Sequence, residues 1–243
     1  MTSHVSQSPL GSINHQTLLS CDRISPPTVF KTHNVYLHTA DNETIGAWFT
    51  FSDPFYAAHK ADLLAPSSSA DQLIRNALRT QPTIFYLHGN GGTRALSSRV
   101  QHYQAFASRL RANVFAVDYR GYGDSTGSPS EAGVVLDART AWGWLRSHGA
   151  PPENVLIIGN ILGTTIAVQF VSELEAEQAG KDEVGRERPR GVVLLAPFSS
   201  VSALLDTYYI AGLVPLMAPL RTFPSLASES SFVPRMAYMR LNG

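Results

Sequence analysis

Apolar residues in this chain gather into short unbroken runs, and longer stretches of mixed polarity lie between them. The runs at 83–87 (TIFYL), 113–117 (NVFAV), 154–158 (NVLII) and 191–195 (GVVLL) carry no charge and are mostly β-branched or aromatic. Such runs mark strands buried on both faces. Between them, 96–110, 130–147 and 162–171 read as helices. The second opens on Ser130-Glu131 after Pro129, a suitable first turn, and the third opens with small residues that allow close packing on a sheet. Upstream, 34–39 and 44–51 predict two strands joined through Asp41-Asn42-Glu43 as a hairpin. Residues 53–81 read as a long connection with a Pro-Ser-Ser-Ser patch at 66–69 and one short helix at 71–78. The charged tract 173–190 reads as a solvated helix end and loop. This alternation predicts an α/β fold with a mostly parallel central sheet and helices on both faces.

Composition narrows the class. A chain of 243 residues has the length of one α/β domain, in which roughly 70–75% of the unfolded surface is buried on folding. Hydrophobic content of 44% with 16% charged residues describes a globular chain, not a disordered one. Nineteen basic and 19 acidic side chains cancel, so no nucleic acid is expected as partner. Cys21 is the single cysteine, which excludes an intrachain disulfide. Residues 1–28 are polar, Ser-rich and Pro-punctuated, without the apolar core of a signal peptide. The apolar stretch 209–220 is broken by Pro215 and Pro219 and is too short to span a bilayer. The expected location is cytoplasmic or peripheral to an intracellular membrane.

Candidate chemistry sits where the strand runs end, the place at which open α/β sheets build their sites. Segment 158–164 (IGNILGT) joins a strand run to a helix start, with Gly159 and Gly163 spaced as in the G-x-S-x-G turn that presents a nucleophilic serine. The serine position is Ile161. Its hydrocarbon has no lone pair to attack a carbonyl. A β-branched side chain tolerates the positive φ of such a turn poorly, at a cost of about 1–3 kcal/mol, so the turn is expected to relax and misalign its backbone donors. Segment 88–94 (HGNGGTR) is a Gly-rich turn leaving a strand, able to point N–H groups into a cleft and stabilise an oxyanion. His88 reads as a core histidine bonded to backbone in preference to a catalytic base. Segment 118–125 (DYRGYGDS) reads as structural, an Asp–Arg arrangement bracing the cleft wall. Segment 196–200 (APFSS) reads as a cleft-lining turn whose Ser199 has no base near it in sequence.

Together these residues resemble the α/β-hydrolase family, and more narrowly its lysophosphatidylserine lipase and monoacylglycerol lipase branch. The shared pattern comprises HGNGGTR at 88–94, Arg99-Val100, Tyr103, DYRGYGDSTGSPSE at 118–131, Asp137-Ala138, Trp144 and GNILGT at 159–164, and it covers 33–223. The resemblance implies a serine hydrolase that cleaves an acyl ester of a glycerol-based lipid, with neither metal nor organic cofactor. It places Ile161 at the nucleophile position and the N–H groups of Leu162 and of Asn90 or Gly91 at the oxyanion hole. It implies that His88, Asn160 and Phe198 line the substrate, a lipid ester or lysophospholipid-like ligand. It also sets 209–220 near the substrate entrance or a peripheral membrane contact, with an ordinary core helix pair as the alternative.

Two departures shape the expected function. Ile161 replaces the serine, and the last histidine, His148, precedes the turn, whereas the family runs serine, acid, histidine. The expected organisation is a disordered or extended segment at 1–32, a partial α/β-hydrolase domain at 33–223 and a Ser-rich tail outside the family pattern at 224–243. An incomplete sheet of this kind would leave 192–195 as an exposed apolar edge. The expected protein is a catalytically inactive relative of serine ester hydrolases of monoacylglycerols and lysophospholipids. A non-catalytic hydrolase-fold protein that binds lipid or protein is the alternative left open.

Overall fold

The computed structural model describes residues 31–65, 69–180, 182, 186–197, 209–210 and 214–215. Strands β1 (Thr32–His38) and β2 (Thr44–Thr50) form the expected hairpin, with Thr32 opposite Thr50 and His38 opposite Thr44. Asn42 takes φ 69° in its turn, a conformation asparagine tolerates better than most side chains. Helices α1 (Asp53–Leu64) and α2 (Ala70–Thr80) follow, then β3 (Thr83–Leu87), α3 (Ser97–Arg109), β4 (Asn113–Val117) and α4 (Glu131–Ser147). A 3₁₀ turn at Pro152–Asn154 leads into β5 (Val155–Asn160), α5 (Leu162–Glu177) and β6 (Gly191–Leu195). Two-residue strands β7 (Tyr209–Ile210) and β8 (Val214–Pro215) pair in a separate antiparallel ladder.

The main sheet has the order β1-β2-β4-β3-β5-β6, antiparallel through β1, β2 and β4 and parallel from β4 to β6. Side chains on β3 alternate between two cores, as the two-residue period of a strand requires. Phe85 and Leu87 join Phe115, Val117, Ile157 and the buried faces of α4 and α5. Ile84 and Tyr86 join Val114, Ala116, Ile158 and Tyr103 of α3. The chain therefore leaves β3 for β4 over one face and crosses back to β5 over the other, which satisfies right-handed crossovers in a mostly parallel sheet.

One expectation about helices needs correction. Segment 53–81 holds two helices, not a loop with one short helix. Ser52 caps α1 by accepting the Phe55 N–H at 3.4 Å, and Pro54 fits the first turn where no N–H is needed. Phe55, Tyr56 and Leu63 bury that helix in the core. The charged tract holds the expected helix end: α5 runs to Glu177, and Arg139 of α4 pairs with Glu173 at 2.9 Å and with Glu177.

Val193 and Leu194 of β6, the outermost of the parallel strands described, are 39% and 38% exposed. Among the described residues no helix is long and apolar enough to cross a membrane. The expected extended segment at 1–32, apart from its last two residues, lies outside the described residues. So do Pro66, Ser67, Ser68, Phe198, Ser199 and the tail 224–243.

Candidate active site

The strand order reverses at β3, so the loops leaving β3 and β5 diverge toward opposite faces and open a crevice at the carboxyl ends of the strands. Both glycine-rich segments of the sequence meet there. The β5–α5 turn forms one wall, with Ile161 between the strand and the helix at φ 49°, ψ −110°. The turn does not relax, contrary to expectation. Its surroundings hold it on every side. The Ile161 N–H donates to the Leu195 carbonyl at 2.9 Å, and the Ile161 carbonyl accepts the Thr164 N–H at 3.0 Å and the Thr164 hydroxyl at 2.5 Å.

Two glycines make the turn this tight. A Cβ on Gly159 would lie 2.4 Å from the Gly163 carbonyl oxygen, and one on Gly163 would lie 2.0 Å from that of Leu87. No other residue fits either position. The first turn of α5 is thereby pressed against the end of β3. Leu162 is its first residue, and its N–H has no acceptor within the helix. The positive end of the helix dipole points the same way.

The β3–α3 loop forms the facing wall. A Cβ placed on Gly89 would sit 3.3 Å from Ile161 Cβ and 3.6 Å from its Cδ1, so the isoleucine side chain lies directly against this loop. Asn90 is exposed, and its side-chain oxygen accepts the Gly91 N–H at 2.9 Å and the Tyr122 hydroxyl at 2.6 Å. Asn160 turns to the α3 face, where its amide donates to the Tyr86 hydroxyl at 3.0 Å. His88 is fully buried: Nδ1 lies 2.8 Å from the Gly89 carbonyl and Nε2 3.0 Å from Asp118. The structure thus gathers Asn90, Gly91, Ile161 and Leu162 along one crevice, sets His88 beneath it and turns Asn160 away from it.

Buried ion pairs brace the walls, with partners the sequence did not specify. Asp118 pairs with Arg94 at 2.6 Å and also accepts the Arg94 N–H at 2.5 Å. Arg120, its near neighbour, instead binds Asp137 at 2.9 Å and Asp41 at 2.7 Å. Arg94 reaches Asp124 as well, at 2.6 Å, and holds that carboxyl below its usual range. Hydrogen bonds from Arg120 and Thr39 hold Asp41 at about 2. Burial pushes the Tyr86, Tyr103 and Tyr119 phenols up, so these remain neutral hydroxyls. Among the described residues no cluster of three His, Cys, Asp or Glu could hold a metal ion.

One contributor carried no role in the sequence reading. Arg99 of α3 is 6% exposed and donates to the carbonyls of Gly89 and Gly91 at 2.7 Å and of Thr93 at 2.8 Å. The available signal was its position four residues before Tyr103, a cation on the buried stripe of its helix.

Comparison with known proteins agrees with this geometry. The sequence profile of the alpha/beta hydrolase family matches residues 84–241. Over 181 residues the chain is 37% identical to lysophosphatidylserine lipase ABHD12 of Danio rerio, covering 73% of this chain and 45% of that protein. Protein bem46 of Schizosaccharomyces pombe is 31% identical over 134 residues, 55% of this chain and 40% of that one. The chain thus spans less than half the length of these relatives. A crystal structure of an alpha-beta hydrolase from Vibrio vulnificus superposes with a TM-score of 0.57 at 17% identity, over 96% of this chain and 74% of that one. That last likeness concerns the fold alone.

Proposed function

The chain belongs to the alpha/beta hydrolase family, and from that premise we propose that it is a non-hydrolysing relative of lysophospholipid and monoacylglycerol lipases. In this reading the cleft receives a lysophospholipid-like ester and leaves it intact. Ile161 carries the reading. Acyl transfer at this turn needs an oxygen that attacks the ester carbon and a base that takes its proton. Isoleucine supplies no such atom, and its side chain fills the space against Gly89.

Among the described residues the neighbouring groups do not replace the missing oxygen. The Thr164 hydroxyl is committed to the Ile161 carbonyl, and the residue is 3% exposed. His148 sits at the end of α4, with Nδ1 2.8 Å from the Trp144 carbonyl and Nε2 3.3 Å from Asp71. The Asn90 and Leu162 N–H groups are assigned as donors to the ester carbonyl. With no alkoxide to form, they stabilise only the bound ester, which gives affinity without turnover.

Fatty-acid release from 1-oleoyl-lysophosphatidylserine by the purified chain tests the hydrolytic half. Release at the buffer rate is expected, and release proportional to protein concentration rejects it. Calorimetric titration with the same lipid below its micellar range tests the other half. Saturable binding is expected, and its absence rejects the retained-ligand role.

A further inference from the structure

We propose that Arg99 is the positioning residue of this cleft, fixing the direction of the Asn90 N–H, and that the helix carrying it braces both walls. The assignment deepens the reading of the cleft as a lipid-ester site and rests on it for its functional meaning.

Arg94 and Arg120 meet carboxylates, but among the described residues the hydrogen bonds of Arg99 go to backbone oxygens. Alternate carbonyls of one loop, those of Gly89, Gly91 and Thr93, converge on its single planar guanidinium. Charge-assisted bonds of this kind are roughly twice as strong as neutral ones. In a trans peptide the C=O and the following N–H point in opposite directions. The Gly89 carbonyl, drawn to Arg99 at 2.7 Å and also met by His88 Nδ1 at 2.8 Å, therefore sends the Asn90 N–H away from α3. The Cβ direction of Gly89 meets Ile161, so the loop is held between α3 and the elbow side chain. A lysine ammonium carries one charge centre without the planar fork and cannot gather three separated carbonyls in the same way.

The same helix reaches the other wall. His102 lies three residues beyond Arg99, on the same face, and its Nδ1 is 3.3 Å from the Tyr86 hydroxyl. That hydroxyl accepts the Asn160 amide at 3.0 Å, and Asn160 immediately precedes Ile161. Helix α3 thus grips the glycine loop directly and the elbow through Tyr86. One rigid element sets the spacing between the donors on the two walls.

The test uses ¹⁵N-labelled full chain as wild type, Arg99→Lys, Arg99→Met and His102→Phe. Backbone order parameters at residues 89–93 are expected near about 0.85 in wild type and below about 0.6 in Arg99→Met, with Arg99→Lys between them. Amides of α4 and α5 stay unchanged, which separates loop positioning from general destabilisation. His102→Phe is expected to shift the Asn160 and Ile161 amide resonances and to leave residues 89–93 ordered. With 1-hexanoyl-lysophosphatidylserine as the probe, Arg99→Lys is expected to bind at least roughly tenfold more weakly than wild type, the scale of one lost hydrogen bond to a charged group. If Arg99→Met does not fold, Arg99→Lys decides the matter. A folded Arg99 variant with residues 89–93 as ordered as wild type overturns the assignment. Failure of wild type to bind the probe rejects the ligand reading instead, and the order parameters still decide what Arg99 does.

Discussion

Gly163→Ala separates the observed elbow from a relaxed one by the sign of its effect. Gly163 is the second residue of α5, and helix propensity alone favours alanine over glycine by about 1 kcal/mol. A relaxed turn would leave room for the methyl group, and the variant would then be stabilised. The structure dictates the reverse. The new Cβ would sit 2.0 Å from the Leu87 carbonyl oxygen, 2.5 Å from its carbon and 3.0 Å from the His88 oxygen. All three are backbone atoms at the end of β3, so α5 and the strand must separate. Overpacking of buried sites costs about 1–3 kcal/mol, and a collision with backbone belongs at or above the upper end. Gly143→Ala supplies the control: it lies inside α4 and its Cβ would meet nothing within 4 Å. Urea unfolding is expected to give about 3 kcal/mol of destabilisation for Gly163→Ala and about 0.5–1 kcal/mol of stabilisation for Gly143→Ala. In thermal melts these correspond to about 6–12 °C down and about 1–4 °C up for a domain of this size. A neutral or stabilised Gly163→Ala would refute the close approach of α5 to β3 and, with it, the elbow geometry.

The buried ion pairs give further outcomes. Asp137→Asn leaves the Arg120 guanidinium 6% exposed without its buried partner and is expected to cost about 3–5 kcal/mol by denaturant unfolding. Asp41 is held at about 2 by Arg120, below the unfolded value of about 3.9. Its contribution is therefore complete above about pH 4 and lost as pH falls toward 2, so Asp41→Asn should flatten the stability-versus-pH curve across that window alone. An unchanged slope in the variant would show that the Arg120 contact does not persist in solution.

How much of this was legible in the sequence depended on where the determining forces lie. The uncharged runs at 83–87 and 113–117 became β3 and β4, because burial on both faces leaves an unmistakable composition. The run at 191–195 also became a strand, β6, although Val193 and Leu194 are exposed there. The crevice was legible too, since Gly159 and Gly163 mark a place where backbones touch. Helix α1 was not, because its apolar residues are not gathered on one face, and its order comes from the Ser52 cap and tertiary packing. The Asp118–Arg94 and Arg120–Asp137 pairing was hidden because sequence proximity pairs Asp118 with Arg120, whereas the fold carries the Arg120 side chain to α4. The persistence of positive φ at Ile161 was missed because local propensity was weighed without Leu195, Thr164 and the two glycines that impose it. Strain survives where the surroundings over-determine it.

The elbow keeps its positive-φ turn and carries Ile161 where a nucleophile would stand. Intact-mass spectrometry with peptide mapping after incubation with a fluorophosphonate tests this, because an activated oxygen at such a turn displaces fluoride from that reagent and keeps the phosphonyl group. An unchanged mass at reagent excess is expected. A stoichiometric phosphonyl adduct within the crevice would contradict it.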